Sequence, residues 1–342
     1  MGQMGQTGQM EQMEQMQRRD LMALAGGALL GAGLVSAPAW AQADYPKAGA
    51  SLRYVVPFPP GGLTDVMARL VGQQLGSRWG ITAVIDNKPG NGGQIGADVV
   101  AKAPGDGYNL LAITLTHAAN VTLFKGHAAF DFQRDLKPVA LLAGSPMLVV
   151  VPAASPIKDF KDLLAQARLR KLNAGSSGNG TPPHLTLALF NSLVGSDIQH
   201  IPYKGGAPSM TDLIGGQLDL IFSNLPESIA HVQSGKLRAL AIASASRHPL
   251  VADVPTTAEA GLPTLAVENW TAIMVPAATP DGLVARLAAE VLAIMGGADI
   301  NERARTQGFR VDARGPRDFA AFLRDEIERW GRIITSARIT AS

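Results

Sequence analysis

Val55-Val56-Pro57-Phe58-Pro59-Pro60-Gly61-Gly62-Leu63-Thr64-Asp65 joins an apolar run to a helical pattern, and its reading decides the fold. Leu52 to Val56 is apolar and β-branched, which predicts a strand ending at the proline-glycine cluster. Thr64 and Asp65 stand where a helix cap belongs, and Val66, Leu70 and Leu75 supply one helical face. The same strand-loop-helix unit recurs along the chain. Strands are expected at Thr82 to Ile85, Leu110 to Thr114, Met147 to Val151, Leu172 to Gly175, Ile198 to Pro202, Leu218 to Phe222, Leu237 to Ala243 and Thr271 to Val275. Helical patterns fill Gly93 to Ala103, the segment of Phe160 and Leu164, Leu185 to Val194, Met210 to Ile214, Pro280 to Met295 and Pro316 to Ser336. Uncharged strands alternating with helices imply an α/β fold of mostly parallel sheets with helices on both faces. A chain of 342 residues leaves room for two such lobes.

Composition narrows the function. Hydrophobic residues make up 46% and charged residues 17%, and the formal charge is only +2. That balance, with no Lys/Arg run among aromatics, excludes a nucleic-acid track. With no cysteine there is no disulfide framework, thiolate nucleophile or thiolate metal site. Residues Met1 to Gln17 repeat Met-Gly-Gln and Met-Glu-Gln units that cannot build a core, so a disordered leader is expected. Arg18-Arg19, the apolar run Leu21 to Val35 and the small residues Ala39 to Ala43 form a secretory signal peptide. Cleavage is expected near Ala41 to Ala43, and the paired arginines suit the twin-arginine route. The mature protein is then expected outside the cytoplasm, in the periplasm.

Three glycine loops carry the functional signal: Pro57 to Thr64, Gly175 to Thr181, and Tyr203-Lys204-Gly205-Gly206. Each follows a strand and precedes a helix. In open α/β sheets ligands bind beyond the carboxyl ends of strands, where helices start. Glycines let backbone N–H groups come close, and the helix dipole favours an anion there. A small carboxylate is the expected ligand. Asn87 to Gly96 is a fourth polar loop that could act alike or merely shape a turn. Asp65 more often stabilises its own helix, and His184 reads as a packed histidine rather than a metal ligand. Enzyme motifs fail. Asn179 stands where a nucleophile elbow needs glycine, Gly90-Asn91-Gly92-Gly93-Gln94-Ile95 breaks a dinucleotide fingerprint, and no P-loop occurs. The six histidines form no metal motif, so no cofactor, metal or catalytic residue is assigned.

These segments resemble the Bug family of extracytoplasmic solute receptors, the binding components of tripartite tricarboxylate transporters. The likeness runs through Val55 to Gly62 with Thr64-Asp65, Asp86 to Gly93, Pro104 to Tyr108, Ser176 to Thr181, Ile201 to Gly205, Asp212 to Gln217, Ser234 to Leu240, and Val254 to Thr256 with Glu259 to Gly261. Trp270 and Trp330 stand where such receptors have tryptophan. The resemblance implies a two-lobed, type II periplasmic-binding-protein fold with the ligand cleft between the lobes. One lobe would hold residues 44–145 and 265–342, the other 146–264, with Met147 to Val151 and Val267 to Val275 as hinges. It implies ligand contacts from Phe58, Pro60, Gly61, Gly62 and Thr64 on one lobe. Ser176, Ser177, Gly178, Asn179, Thr181, Tyr203, Lys204, Gly205 and Ser223 would serve on the other. Proline at 60 and leucine at 63 depart from the family's usual small residues, and Pro60 has no N–H to donate. Position 223 is often aspartate in relatives; serine here favours a plain mono- or dicarboxylate over an amino acid. The expected protein is a monomer that closes on its ligand and hands it to transporter subunits. A signalling receptor for a sensor ectodomain and an exported enzyme are the other classes left open.

Overall fold

A computed structural model describes residues 45–340; the expected leader and signal peptide lie outside the described residues. Strand β1 (Ser51–Val56) lies between β2 (Thr82–Asn87) and β3 (Asn109–Thr114), parallel to both. Helix α1 (Leu63–Trp79) connects β1 to β2, and α2 (Gln94–Ala101) connects β2 to β3. Helix α3 (Leu115–Leu123) starts on the residue after β3. A single turn, α4 (Phe132–Asp135), then leads into β4 (Leu136–Pro152). The 17 residues of β4 include the expected strand Met147 to Val151 as their second half. Pro138 and Pro146 mask the first half in the sequence. Both are accommodated here, with register shifts against the neighbouring strand between Pro138 and Ala140 and between Leu141 and Ala143.

β4 joins the two lobes. Its first half pairs antiparallel with β9 (Glu268–Pro276) and β10 (Arg310–Arg314). Its second half pairs antiparallel with β7 (Leu220–Asn224) and β8 (Leu237–Ala243). Beyond β7 come β5 (Asn173–Ser176) and β6 (Gln199–Pro202), parallel to one another. The path across the sheet is β2-β1-β3-β9-β4-β7-β5-β6. Its outer strands are parallel, as expected, but its centre is antiparallel because β4 and β9 return through the middle. The sheet is therefore mixed rather than mostly parallel.

The second lobe adds α5 (Phe160–Leu169), α6 (Pro182–Val194), α7 (Gly206–Ile214) and α8 (Leu225–Gln233). The chain returns to the first lobe with α9 (Asp281–Met295), α10 (Ala298–Thr306) and α11 (Pro316–Ser336). Alternate side chains of β1 go to opposite faces. Leu52, Tyr54 and Val56 pack with Met67, Val71 and Leu75 of α1 and Val284, Leu287 and Val291 of α9. Val55 faces the other core, with Ala118 of α3 and Phe319, Leu323 and Trp330 of α11. Burial on both faces explains why these strands carry almost no charge. Trp270 on β9 and Trp330 on α11 both donate their indole N–H to Glu326 Oε2, at 2.9 and 3.3 Å, tying the last helix to the central sheet.

Candidate ligand-binding site

The carboxyl ends of β1, β3, β5, β6 and β7 all open on one cleft between the lobes. Antiparallel β9 brings its amino end, Asn269, to the same place.

The Pro57 to Thr64 loop is fixed from behind. Helix α1 starts at Leu63 with Gly62 at its N-cap, so Thr64 and Asp65 lie in the first turn instead of capping it. Asp65 is buried and accepts the Gly61 N–H at 2.9 Å, two Arg69 N–H groups at 2.8 and 2.9 Å, and Asn87 Nδ2 at 2.9 Å. Asn87 Nδ2 also donates to the Phe58 carbonyl at 3.0 Å. Burial works to raise the Asp65 pKa, but Arg69, Gly61 and Asn87 together hold it below the usual carboxylate range. The acid thus shapes the loop and leaves the loop's outer surface to the cleft. Phe58 leans edge-on against His117, ring centroids 5.8 Å apart. His117 is buried, accepts the Thr114 N–H on Nδ1 at 3.2 Å, and is driven by desolvation down to about 4, so it is neutral.

The Ser176 to Thr181 loop is organised differently from the expectation of free backbone donors. Gly178 N–H donates to Ser176 Oγ at 3.0 Å, Gly180 N–H to His184 Nδ1 at 3.0 Å, and Thr181 N–H to the Gly178 carbonyl at 3.3 Å. Helix α6 then begins with Pro182 and Pro183, which have no N–H. Three of this loop's amides, and the Thr181 hydroxyl that donates to the Gly178 carbonyl at 2.6 Å, are therefore spent on its own shape, while Ser177 lines the cleft. His184 stacks on His200, ring centroids 3.9 Å apart, and His200 Nε2 shares a 2.6 Å hydrogen bond with Ser176 Oγ.

A cavity of about 340 Å³ results, within the size range of small-ligand sites. Among the residues assigned from sequence, Phe58, Pro60, Gly61, Gly62, Thr64, Ser177, Thr181 and Gly205 line it. A second cavity of about 550 Å³ adjoins it and is lined by Gly178, Asn179, Tyr203 and Lys204, again with Phe58, Ser177, Thr181 and Gly205. Asn91, Gly92 and Gly93 of the fourth polar loop line this second space as well. Ser176 and Ser223 line neither. Ser176 is turned to His200 and Gly178, and Ser223 is buried with its hydroxyl donating to the Asn224 carbonyl at 3.0 Å. Lys204, within the glycine turn, lines the outer space; among the described residues no Lys or Arg lines the 340 Å³ cavity.

Several lining residues escaped the sequence reading: Thr114, Thr116, Asn224, Glu227, His231 and Asn269. Thr114 Oγ1 donates to Asn269 Oδ1, and Asn269 Nδ2 donates to Asn224 Oδ1 at 2.8 Å. Asn224 in turn hydrogen-bonds Glu227, whose Oε1 also accepts the Leu63 N–H at 3.4 Å. One chain of hydrogen bonds thus crosses the cleft floor from one lobe to the other and returns to the first loop. Burial raises the Glu227 pKa, while Asn224 and the Leu63 amide work against that. Thr116 lies along the cavity lining with its hydroxyl fully buried and, among the described residues, without a hydrogen-bond partner. A buried hydroxyl left so is costly unless a ligand or water meets it.

This fold and interlobe cleft define a solute-binding receptor. The profile of the tripartite tricarboxylate transporter family receptor matches residues 67–339. BugT of Bordetella pertussis is 34% identical over 286 residues, covering 83% of this chain and 88% of that protein. A protein of the tcbD-tcbE intergenic region of a Pseudomonas species is 36% identical over 294 residues, covering 85% and 87%. Among solved structures, a Rhodopseudomonas palustris protein with adipate superposes with TM-score 0.83 and 35% identity, covering 87% of this chain and 99% of its own. MatC from Rhodopseudomonas palustris with bound malate gives TM-score 0.78 and 33% identity, covering 83% and 99%. The chain belongs to the tripartite tricarboxylate transporter receptor family.

Proposed function

We propose that the chain is exported by its signal peptide and captures a small carboxylate in the periplasm for a tripartite tricarboxylate-type transporter. Residues 44–145 with 265–342 act as one lobe and 146–264 as the other, hinged where β4 and β9 run between them. The observation that carries the reading is the 340 Å³ interlobe cavity, lined by Thr64, Thr114 and Thr116 from one lobe and by Ser177 and Thr181 from the other. Thr64 and Ser177 line this space from opposite lobes, so a carboxylate would be held by hydroxyls and main-chain amides rather than by a cation. The adipate and malate of the two Rhodopseudomonas palustris structures are acids of this size class and support it. A ligand touching both lobes favours the closed form by its differential affinity, and the closed monomer presents a new surface to the transporter subunits.

A thermal-shift screen of the refolded, ligand-stripped mature protein against aliphatic and aromatic carboxylates tests this. Ligand at a hundredfold its Kd adds about 2.7 kcal/mol to folding and raises Tm in proportion. Thr64→Leu and Ser177→Leu are expected to abolish the shift while the unliganded Tm changes little. Normal binding by both variants would remove the cleft from consideration.

A further inference from the structure

Among the described residues, Glu227 is the one carboxylate on the cavity wall, and its position is unusual. It lies in the first turn of α8, which follows β7 without a loop, and its head spans the cleft to reach the other lobe. Oε1 accepts from Leu63 N–H, the first amide of α1, at 3.4 Å. The opposite oxygen rests against Gly206, the first residue of α7: a Cβ built on Gly206 would lie 2.6 Å from Oε2, so a side chain there would displace the carboxylate. A Cβ on Gly62 would lie 3.6 Å from Oε1. The carboxylate therefore occupies the place where helix starts from the two lobes meet, the position that favours an anion. Its remaining polar contact is the side chain of Asn224. Among the described residues no Lys or Arg lines the cavity, and His231, one turn further along α8, is the other ionisable group on the wall.

We propose that Glu227 sets the ligand class. The chain's own carboxylate fills one of the two anion positions that a dicarboxylate would need, so the cleft takes a monocarboxylate whose far end carries a hydrogen-bond donor, with an ammonium group the best match. A second free carboxylate would meet Glu227 head-on in a space without a cation to offset it. An ammonium group would instead provide the cationic partner that this half-buried acid lacks among the described residues. The serine at 223 had favoured a plain acid; Ser223 does not reach the cavity, and the acid that would greet an ammonium group comes from four residues further on. The proposal rests on the carboxylate-receptor reading and adds the identity of the ligand's distal group.

Calorimetric titration of the mature protein and of Glu227→Gln with two matched series tests it: unbranched dicarboxylates from malonate to suberate, and ω-amino carboxylates of the same chain lengths. The wild type is expected to prefer the amino series by at least tenfold at the best-fitting length. Glu227→Gln, which keeps shape and removes charge, should reverse that order, gaining at least tenfold for the dicarboxylate and losing as much for the amino acid. Glu227→Ser provides a second neutral variant should the glutamine perturb folding, as unliganded melting would show. If wild type and variants rank the two series alike, Glu227 does not set the class, although the receptor reading stands. If no member of either series binds any of the three proteins at millimolar concentration, the proposed ligand class is overturned, and the thermal-shift screen with aromatic acids decides separately whether the cleft takes a carboxylate.

Discussion

His117 shows how one buried group links the loop to the fold. Its ring supports Phe58, its Nδ1 holds the first turn of α3 through the Thr114 amide, and it stays neutral because burial lowers its pKa to about 4. His184 and His200 behave alike, lowered by burial to about 4 and about 3, the second also by its neighbour. A histidine held below its unfolded value of about 6.5 stabilises the fold fully above that pH, and the contribution is lost as pH falls towards the folded value, because the unfolded chain then binds the extra protons. For His117 the loss between pH 7 and pH 5 is about 2 kcal/mol, and less for the half-exposed pair. Urea unfolding at the two pH values should show the protein weaker at pH 5. His117→Asn, which keeps an acceptor near Nδ1, should flatten the slope. A slope unchanged by that substitution would show that His117 does not titrate on unfolding.

At the level of elements, the site is made by strand–helix junctions of two kinds. Three of them, after β1, β5 and β6, contain glycine loops, and these were legible because glycine and proline punctuate the sequence. The other two, after β3 and β7, have no loop: Thr114 passes directly into α3 and Asn224 into α8. A search for loops passes over such a junction, and neither helix was read from the sequence. Thr116, Glu227 and His231 escaped with them. Asn269 escaped for another reason, since it lies at the start of an antiparallel strand whose direction only pairing reveals. That asparagine couples both loopless junctions, through Thr114 and Asn224. Asn269→Ala should leave two buried polar groups without partners and destabilise by roughly 2–6 kcal/mol, at about 1–3 kcal/mol per orphaned group. A chemical-denaturation midpoint equal to that of the wild type would show the chain of hydrogen bonds to be dispensable.

For the whole molecule the decisive contact is that between lobes. Gly205 has φ of 117°, a region open to glycine, and a Cβ placed there would come within 3.0 Å of Pro59 Cγ on the opposite loop. The lobes thus meet at a point with room for no side chain. Gly205→Val should hold them apart, so that ligand no longer contracts the protein in small-angle scattering and affinity falls at least tenfold. Full contraction of that variant on ligand addition would place the closing contact elsewhere. The second cavity, between Asn179, Tyr203 and Lys204 and the turn at Asn91 to Gly93, flanks the same contact and would change shape with it.

The strand–helix alternation, the glycine loops and the family resemblance were available from residue order alone, because periodicity, turn chemistry and motif spacing are local properties of a chain. Which donors remain for a ligand was not available. Ser176 and the amides of its loop looked like binding groups until folding directed them to His200, His184 and each other, while Glu227 gained its place only when two helix starts from separate lobes converged on it. A polar group's partner is chosen by proximity in space, and proximity between residues some 160 positions apart, such as Leu63 and Glu227, exists only once the lobes have packed.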